Sequence, residues 1–442
     1  MTSLLPLAAF IPAETTLLDR GLSFLGIPIL IGIAWLLSTN RKAINWKTVG
    51  WGVALQILFG LVVLSPQLQD FFFVVVDGGV KKLISFAEEG AHFVFGSIEM
   101  HQITMPDGKP QTFAGRVSPP VQTFAFWILP TIVFFSSLMA ILYHLGIMQK
   151  AVIVVAWVMQ RTMGTSGAES LSAAANIFVG QTEAPLVVKP FIEKMTRSEL
   201  HAIMTGGFAT VAGGVMAAYV GFLQDIPNIA GHLVTASILS APAALAVSKV
   251  MVPEDGTPVT LGTLKMEVPK TARNVIEAAA KGATEGVKLA LNVAGMLIAF
   301  VGLIAMFNFI VGALTGGALS LELILAYGFA PIAFVMGVPW GECLAVGTLL
   351  GQKIVLTEFV AYINLGAMVA AEEPVLSQRS AIIASYGLCG FANFASIGIQ
   401  LGGIGGIAPN RMGDLAELGF RAMIAGSIAA FMTGTIAGIL IG

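Results

Sequence analysis

The sequence predicts an all-α polytopic membrane protein, with eight transmembrane helices and two re-entrant hairpins arranged as an inverted repeat. Three observations carry that prediction. The 442 residues are 56% hydrophobic and only 11% charged, with a mean hydropathy of +0.86, whereas a soluble domain carries about 25% charged residues. Apolar runs long enough to cross a bilayer, about 20 residues each, recur along the chain. Two further apolar stretches are interrupted by glycine, proline and an acid. The net charge of -2 is no match for a polyanion and excludes a nucleic-acid partner. Cys343 and Cys389 lie in apolar segments and read as buried thiols, not as a disulfide framework or a zinc site. The stretch "MTSLLPLAAFIPAETTLLDR" has no basic residue before its short apolar run, so no secretory signal is expected.

The elements follow in order. Spans are predicted near 22–38, 48–65, 121–147, 199–222, 231–250, 288–311, 382–405 and 420–441. Between the second and third, residues 68–99 mix "FFFVVV" with Asp77, Lys81, Lys82 and Glu88, the pattern of a helix lying along the membrane surface. The stretch "MHQITMPDGKPQTFAGRVSPP" reads as an irregular, proline-containing loop. The stretch "RNVIEAAAKGATEGVK" reads as an amphipathic helix leading into the sixth span, with Glu277 and Lys281 as a stabilising i,i+4 pair. Basic residues set the orientation. "RKAINWK" (41–47), Lys189, Lys194, Arg197, Lys249, Lys265, Lys270, Arg273 and Arg411 fall on the cytoplasmic side if both termini are outside. Lys109 and Arg116 lie on the other side.

The two interrupted stretches cover about 165–190 and 337–370. In the first, Ser166 to Glu169 fits a capping box, so a helix starts there. From Ser166 to Gly180 such a helix reaches about 21 Å, short of a hydrocarbon core of about 30 Å. Gly180-Gln-Thr-Glu-Ala-Pro185 then breaks it, and a second limb returns to Lys189-Pro190. In the second stretch, "MGVPWGEC" starts a helix with Pro339 near its first turn and Glu342 suited to the positive helix end. That limb reaches Gly351-Gln352-Lys353, and "TEFVAYINLGAMV" forms the other. One hairpin enters from inside and one from outside. The span after each is also glycine-dense and polar, as in "GFATVAGGVMAAYVG" (207–221) and "GLCGFANFASIGIQLGGIGG" (387–406). Unsatisfied backbone of this kind is tolerated in a bilayer only where it lines a cavity or packs in protein, and transporters place substrate at such discontinuous helices.

Glu183 and Glu358 are the acids nearest the two tips. An acid within a membrane segment marks a functional site; the alternative is a structural ion pair or a carboxylate neutralised by burial. Asn176, Thr210, Asn393 and Ser396 are neutral polar residues beside the same breaks, equally suited to gluing helices together. Phe391 suits ordinary packing, and His144 and the methionines read as structural.

The motifs "GQTEAPLVVKP", "GFATVAGGVMAAY", "KLALNVAGMLIAFVGLIA", "MGVPWGE", "TEFVAY" and "LCGFANFASIGIQLGG", in this order, resemble the concentrative nucleoside transporter family. The resemblance runs from about residue 22 to the end and looks like a bacterial, eight-span form. It implies a homotrimer with a moving transport domain. It implies that Gln181, Thr182, Glu183 and Val215 face the nucleobase, that Glu358, Asn393 and Ser396 take the ribose, and that Phe391 lines the pocket. It further implies a sodium site made by Asn176, the Val179 carbonyl, Thr210 and the Val211 carbonyl. Thr357 stands where the family usually has asparagine, and Thr210 keeps the hydroxyl of the serine found in some bacterial members. Gly180-Gln181 resembles members that accept both purine and pyrimidine nucleosides.

The expected function is therefore sodium-coupled nucleoside symport by alternating access, with sodium as coupling ion and membrane lipid as the surrounding partner, in the inner (plasma) membrane. The expected units are scaffold spans and the surface helix in 1–150, the first hairpin with two spans in 151–250, the amphipathic helix and sixth span in 251–318, and the second hairpin with two spans in 319–442. Rival readings are a proton-coupled transporter of the same fold, an intramembrane enzyme and a channel. No HExxH pattern and no Ser/His or Asp pair at catalytic spacing supports the enzyme.

Overall fold

The computed structural model describes residues 17–64, 66–95, 97–105, 108–118, 124–262, 272–373 and 375–441. The chain begins with α1 (Leu17–Leu36), α2 (Trp46–Leu64) and the 30-residue α3 (Pro66–Phe95). Asp77 of α3 is buried, pairs with Lys81 at 2.7 Å and accepts the Ala230 amide at 3.3 Å. It thus supplies an acceptor to the start of a later helix whose own N-cap, Asn228, makes no side-chain cap.

One expectation fails next. The segment read as an irregular loop is a two-stranded antiparallel ribbon, β1 (Ser97–Thr104) with β2 (Pro110–Ser118). The turn closes through Met105 and Lys109, with Gly108 at φ +76. An Asp-Gly turn between two short runs is a hairpin signal, and an apolar window tuned to spans passes over it. Apart from this ribbon the regular elements among the described residues are helices.

Two series of elements then follow with the same order. The first is α4 (Leu129–His144), α5 (Ile147–Met163), the short α6 (Gly167–Ala175), a tip leading through a 3-10 turn into α7 (Lys189–Ile192), the interrupted pair α8 (Arg197–Ala209) and α9 (Gly213–Phe222), and the buried α10 (Ile229–Met251). The second is the 41-residue α11 (Val275–Thr315), α12 (Leu321–Val335), the paired limbs α13 (Cys343–Val355) and α14 (Glu358–Val369), the interrupted pair α15 (Gln378–Leu388) and α16 (Phe394–Ile407), and the buried α17 (Met412–Leu440). α5 and α12 are additions to the predicted order. α4 and α5 bend by 77° at Leu145-Gly146. The capping box at Ser166 and Glu169 forms as expected, and Glu277 pairs with Lys281 at 2.8 Å.

By length and composition, five described helical segments suffice to cross a membrane: 46–64, 197–222, 229–251, 275–315 and 409–440. α1 is shorter in its apolar part, and the predicted span 382–405 is the interrupted pair α15–α16. Lys265 and Lys270 lie outside the described residues. The core centres on α10 and α17, each buried along most of its length. α11 meets α4 through glycines: a Cβ on Gly282 would stand 2.6 Å from the Ser136 carbonyl oxygen, and one on Gly286 2.7 Å from Val133 Cα. Small residues permit this backbone approach. Over its most apolar 18-residue stretch, α11 buries no residue against its own chain.

Candidate substrate and ion sites

Four interruptions of helix meet at one place. The first tip is a tight turn, in which the amides of Glu183 and Ala184 both donate to the Gly180 carbonyl. A Cβ at 180 would meet the Glu183 carboxylate, so glycine there leaves that side chain its present place. The break between α8 and α9 is fastened to this tip by Gly213 N–H to the Phe178 carbonyl at 3.1 Å. The break between α15 and α16 is fastened to the first break by Phe391 N–H to the Thr210 carbonyl at 3.3 Å. Gly390, at φ +130, passes against the Phe208 carbonyl, where a Cβ would lie at 2.6 Å. The second tip is Leu356-Thr357, and Thr357 caps α14.

Between the interruptions lies a cavity of about 130 Å³. Its lining includes Gln181, Thr182, Glu183, Val215, Glu358, Phe391, Asn393 and Ser396, so every residue assigned to substrate from the resemblance is at this one wall. Glu358 is buried at the start of α14. Its Oε1 accepts from Tyr219 Oη–H and its Oε2 from Asn393 Nδ2–H, both at 2.9 Å. Asn393 is fixed in turn, because its Oδ1 caps α16 by accepting the Ser396 amide at 2.8 Å. Gln181 bridges the halves. Its Nε2 donates to Ser396 Oγ at 3.2 Å, and its Oε1 accepts from Gln400 Nε2 at 3.0 Å. A carboxylate has about four lone-pair directions. Glu358 therefore keeps acceptor capacity after both protein bonds, and an O–H donor in the cavity can use it.

Sequence reasoning missed Tyr219, Gln400 and the contribution of α11. Leu289, Val293, Met296 and Leu297 of α11 also line the cavity. They recur at helical spacing in an apolar run where every position looks alike, so only packing singles them out. Tyr219 stacks on Tyr362 with centroids 4.2 Å apart, and the Tyr362 hydroxyl is anchored on the Ser385 carbonyl at 2.8 Å. The hydroxyl that orients Glu358 is thus held from behind.

Asn176 is the C-cap of α6 and Thr210 the C-cap of α8. Asn176 is fully buried, its Nδ2 donates to the Ser172 carbonyl at 3.1 Å, and its Oδ1 has no hydrogen-bond partner. The Thr210 hydroxyl donates its proton to the Gly206 carbonyl at 2.9 Å, leaving its lone pairs available. A buried, unmatched acceptor is costly. Amide, hydroxyl and carbonyl oxygens are the hard neutral donors that suit an alkali cation, and these residues fit one.

The fold and this cavity define a polytopic membrane transporter: two series of interrupted helices whose polar breaks enclose a small-molecule pocket. Family models described as "Na+ dependent nucleoside transporter N-terminus", "Nucleoside recognition" (gate) and "Na+ dependent nucleoside transporter C-terminus" match residues 25–98, 125–225 and 232–438. The uncharacterized transporter YutK of Bacillus subtilis (strain 168) is 44% identical over 422 residues, covering 94% of this chain and 98% of the relative. Sodium/nucleoside cotransporter 1 of Mus musculus is 39% identical over 446 residues, covering 96% of this chain and 64% of the longer mouse protein. The structure of CNTnw in an inward-facing substrate-bound state superposes with a TM-score of 0.83 at 42% identity, covering 96% and 98% of the two chains. The chain belongs to the Na+ dependent nucleoside transporter family. Its homologues are transporters, not enzymes.

Proposed function

We propose that this protein takes up nucleosides by sodium-coupled symport, through alternating access of the cavity between the two tips. The observation that carries the reading is the Glu358 carboxylate, buried and oriented by Tyr219 and Asn393 at the cavity wall. Ribose hydroxyls donate to Glu358, with Asn393 and Ser396 beside it. Gln181, Thr182 and Glu183, with Val215, meet the base, and Phe391 lines the space between. Amide and hydroxyl groups read the donors and acceptors of a base edge without adding charge, which suits acceptance of both purine and pyrimidine nucleosides. Sodium sits among Asn176, Val179, Thr210 and Val211.

In this reading α6–α7 and α13–α14 are re-entrant hairpins, and the chain crosses the plasma membrane eight times with both termini outside. The units are a scaffold in 1–150 and 251–318 and a transport part in 151–250 and 319–442. The uncovered face of α11 meets lipid and the other copies of a homotrimer, supported by its exposed Ile298, Phe309 and Leu314. A neutral nucleoside gains nothing from the membrane potential, so accumulation against a gradient requires the coupled cation.

The test is uptake of labelled uridine and adenosine into proteoliposomes, with and without an inward sodium gradient, at fixed pH. Sodium-driven accumulation of both is expected. Accumulation driven by a pH gradient and indifferent to sodium would transfer the coupling to protons.

A further inference from the structure

We propose that Lys353 is a fixed cation that does for the second series of elements what mobile sodium does for the first. The inference rests on the sodium site proposed above. In each series, the first limb of the hairpin and the first half of the interrupted helix end against one another. In the first, a Cβ on Gly206 of α8 would lie 3.1 Å from Asn176 Nδ2 at the end of α6. In the second, a Cβ on Gly387 of α15 would lie 3.2 Å from Leu350 Cδ2 in α13. A helix C-terminus carries partial negative charge and unmatched carbonyls. Two such ends placed together away from water favour a cation between them.

The first pair of ends offers only neutral oxygen ligands, and so recruits an ion from solution. The second pair contains a charge of its own. Lys353 stands in the last turn of α13, is completely buried, and donates from Nζ to the Gly387 carbonyl at 3.0 Å in the last turn of α15. Nζ also stands 5.8 Å from the centroid of the Phe431 ring on α17, within cation–π range. Among the described residues it makes no ion pair. Lysine is almost never fully buried unless paired; here the two helix ends and the Phe431 ring answer its charge. The consequence is an asymmetric site. Lys353 holds the Glu358 side of the cavity ready, and the mobile ion assembles the Gln181 side.

The experiment compares Lys353→Met, which keeps the stem and removes the charge, with Lys353→Asn, which supplies a neutral oxygen like that of Asn176. Uridine binding to the purified protein is titrated at increasing sodium and constant ionic strength. The Met variant is expected to bind about tenfold or more weakly even at saturating sodium. The Asn variant is expected to recover at high sodium with a steeper sodium dependence than wild type, because a second ion now binds. Wild-type affinity in the Met variant, or an Asn variant no steeper than wild type, overturns the proposal. If the Met variant does not fold, the melting temperature of the Asn variant is read instead. A sodium-dependent rise larger than that of wild type supports a replaced cation; an equal rise, or a chain unfolded at every sodium concentration, overturns it. Failure of the underlying sodium reading shows separately, as wild-type binding that ignores sodium.

Discussion

Single residues decide recognition because the cavity is small and Gln181, Glu358, Asn393 and Ser396 in its wall are already held by hydrogen bonds to protein. Glu358 accepts from Tyr219 and Asn393, so Glu358→Gln does more than remove a charge. One end of the amide becomes a donor: against Asn393 Nδ2 it meets another donor, and against Tyr219 it forces the hydroxyl to turn and accept instead of donating. A hydrogen bond to a charged group contributes about 1.5–3 kcal/mol, and nucleoside affinity in this variant is expected to fall by more than about tenfold. Binding to the folded variant measures it, and an unchanged Kd would sink the ribose assignment. Gln181 and Thr182 are the residues proposed to meet the base, and Thr182 packs against Gly403 of α16. Alanine at either is expected to change the ratio of uridine to adenosine affinity. Equal weakening of both nucleosides would remove these residues from base recognition.

Elements are held by charge at their bases as well as by packing. Lys249, at the end of α10, reaches Glu169 Oε2 at 2.7 Å, Ser198 Oγ at 2.9 Å and Glu254 Oε2 at 3.1 Å. Ser166 Oγ donates to Glu199 alongside at 2.6 Å. One ammonium therefore joins the starts of α6 and α8 to the end of α10. In the other series Arg379 has a related place, donating to the Gly337 carbonyl, the Gly438 carbonyl at 2.7 Å and Ser23 Oγ at 3.1 Å. Removing one partner of a buried ion pair costs about 3–5 kcal/mol, so Lys249→Met is expected to lower the melting temperature markedly. Lys281→Met, which breaks an exposed pair with Glu277, should leave the melting temperature almost unchanged. Equal melting of the two variants would mean that the buried cluster holds nothing together. The breaks in these elements were legible in the sequence because Gly180, Pro185 and Pro339 interrupt apolar runs at chemically costly places. α5 and α12 were not legible. Seventeen and fifteen residues long, they fall short of a full span; α12 carries Pro331 in its interior, and Gly146 and the Gly316-Gly317 turn detach the two helices from those before them. Thr210, Asn393 and Ser396 stood out as polar residues in apolar runs, whereas Val293 and Met296 become part of the site only because α11 passes over it.

At the scale of the whole molecule the issue is how an ion and a neutral solute come to share one cycle. Two of the proposed ion ligands, Asn176 and Val179, and the base-facing Gln181, Thr182 and Glu183 share one short stretch of chain at the first tip, while Thr210, Val211 and Val215 lie at and just after the break it faces. The same tip is fastened to the α8–α9 break through Gly213 and Phe178. An ion among Asn176, Val179, Thr210 and Val211 would draw the tip and the break together, and Gln181 would then be presented to the base between Ser396 and Gln400. Sodium is therefore expected to raise nucleoside affinity. By thermodynamic linkage, nucleoside must raise sodium affinity by the same factor. The buried and unmatched Oδ1 of Asn176 makes that residue the place to break the coupling. Asn176→Ala should shift the sodium needed for half-maximal binding upwards while leaving binding at saturating sodium nearly intact, because no ribose or base contact is removed. Nucleoside titrations at several sodium concentrations, with pH and ionic strength constant, measure both factors in wild type and variant. If the variant instead loses affinity equally at every sodium concentration, Asn176 shapes the pocket but does not bind the ion, and the coupling must enter the molecule elsewhere.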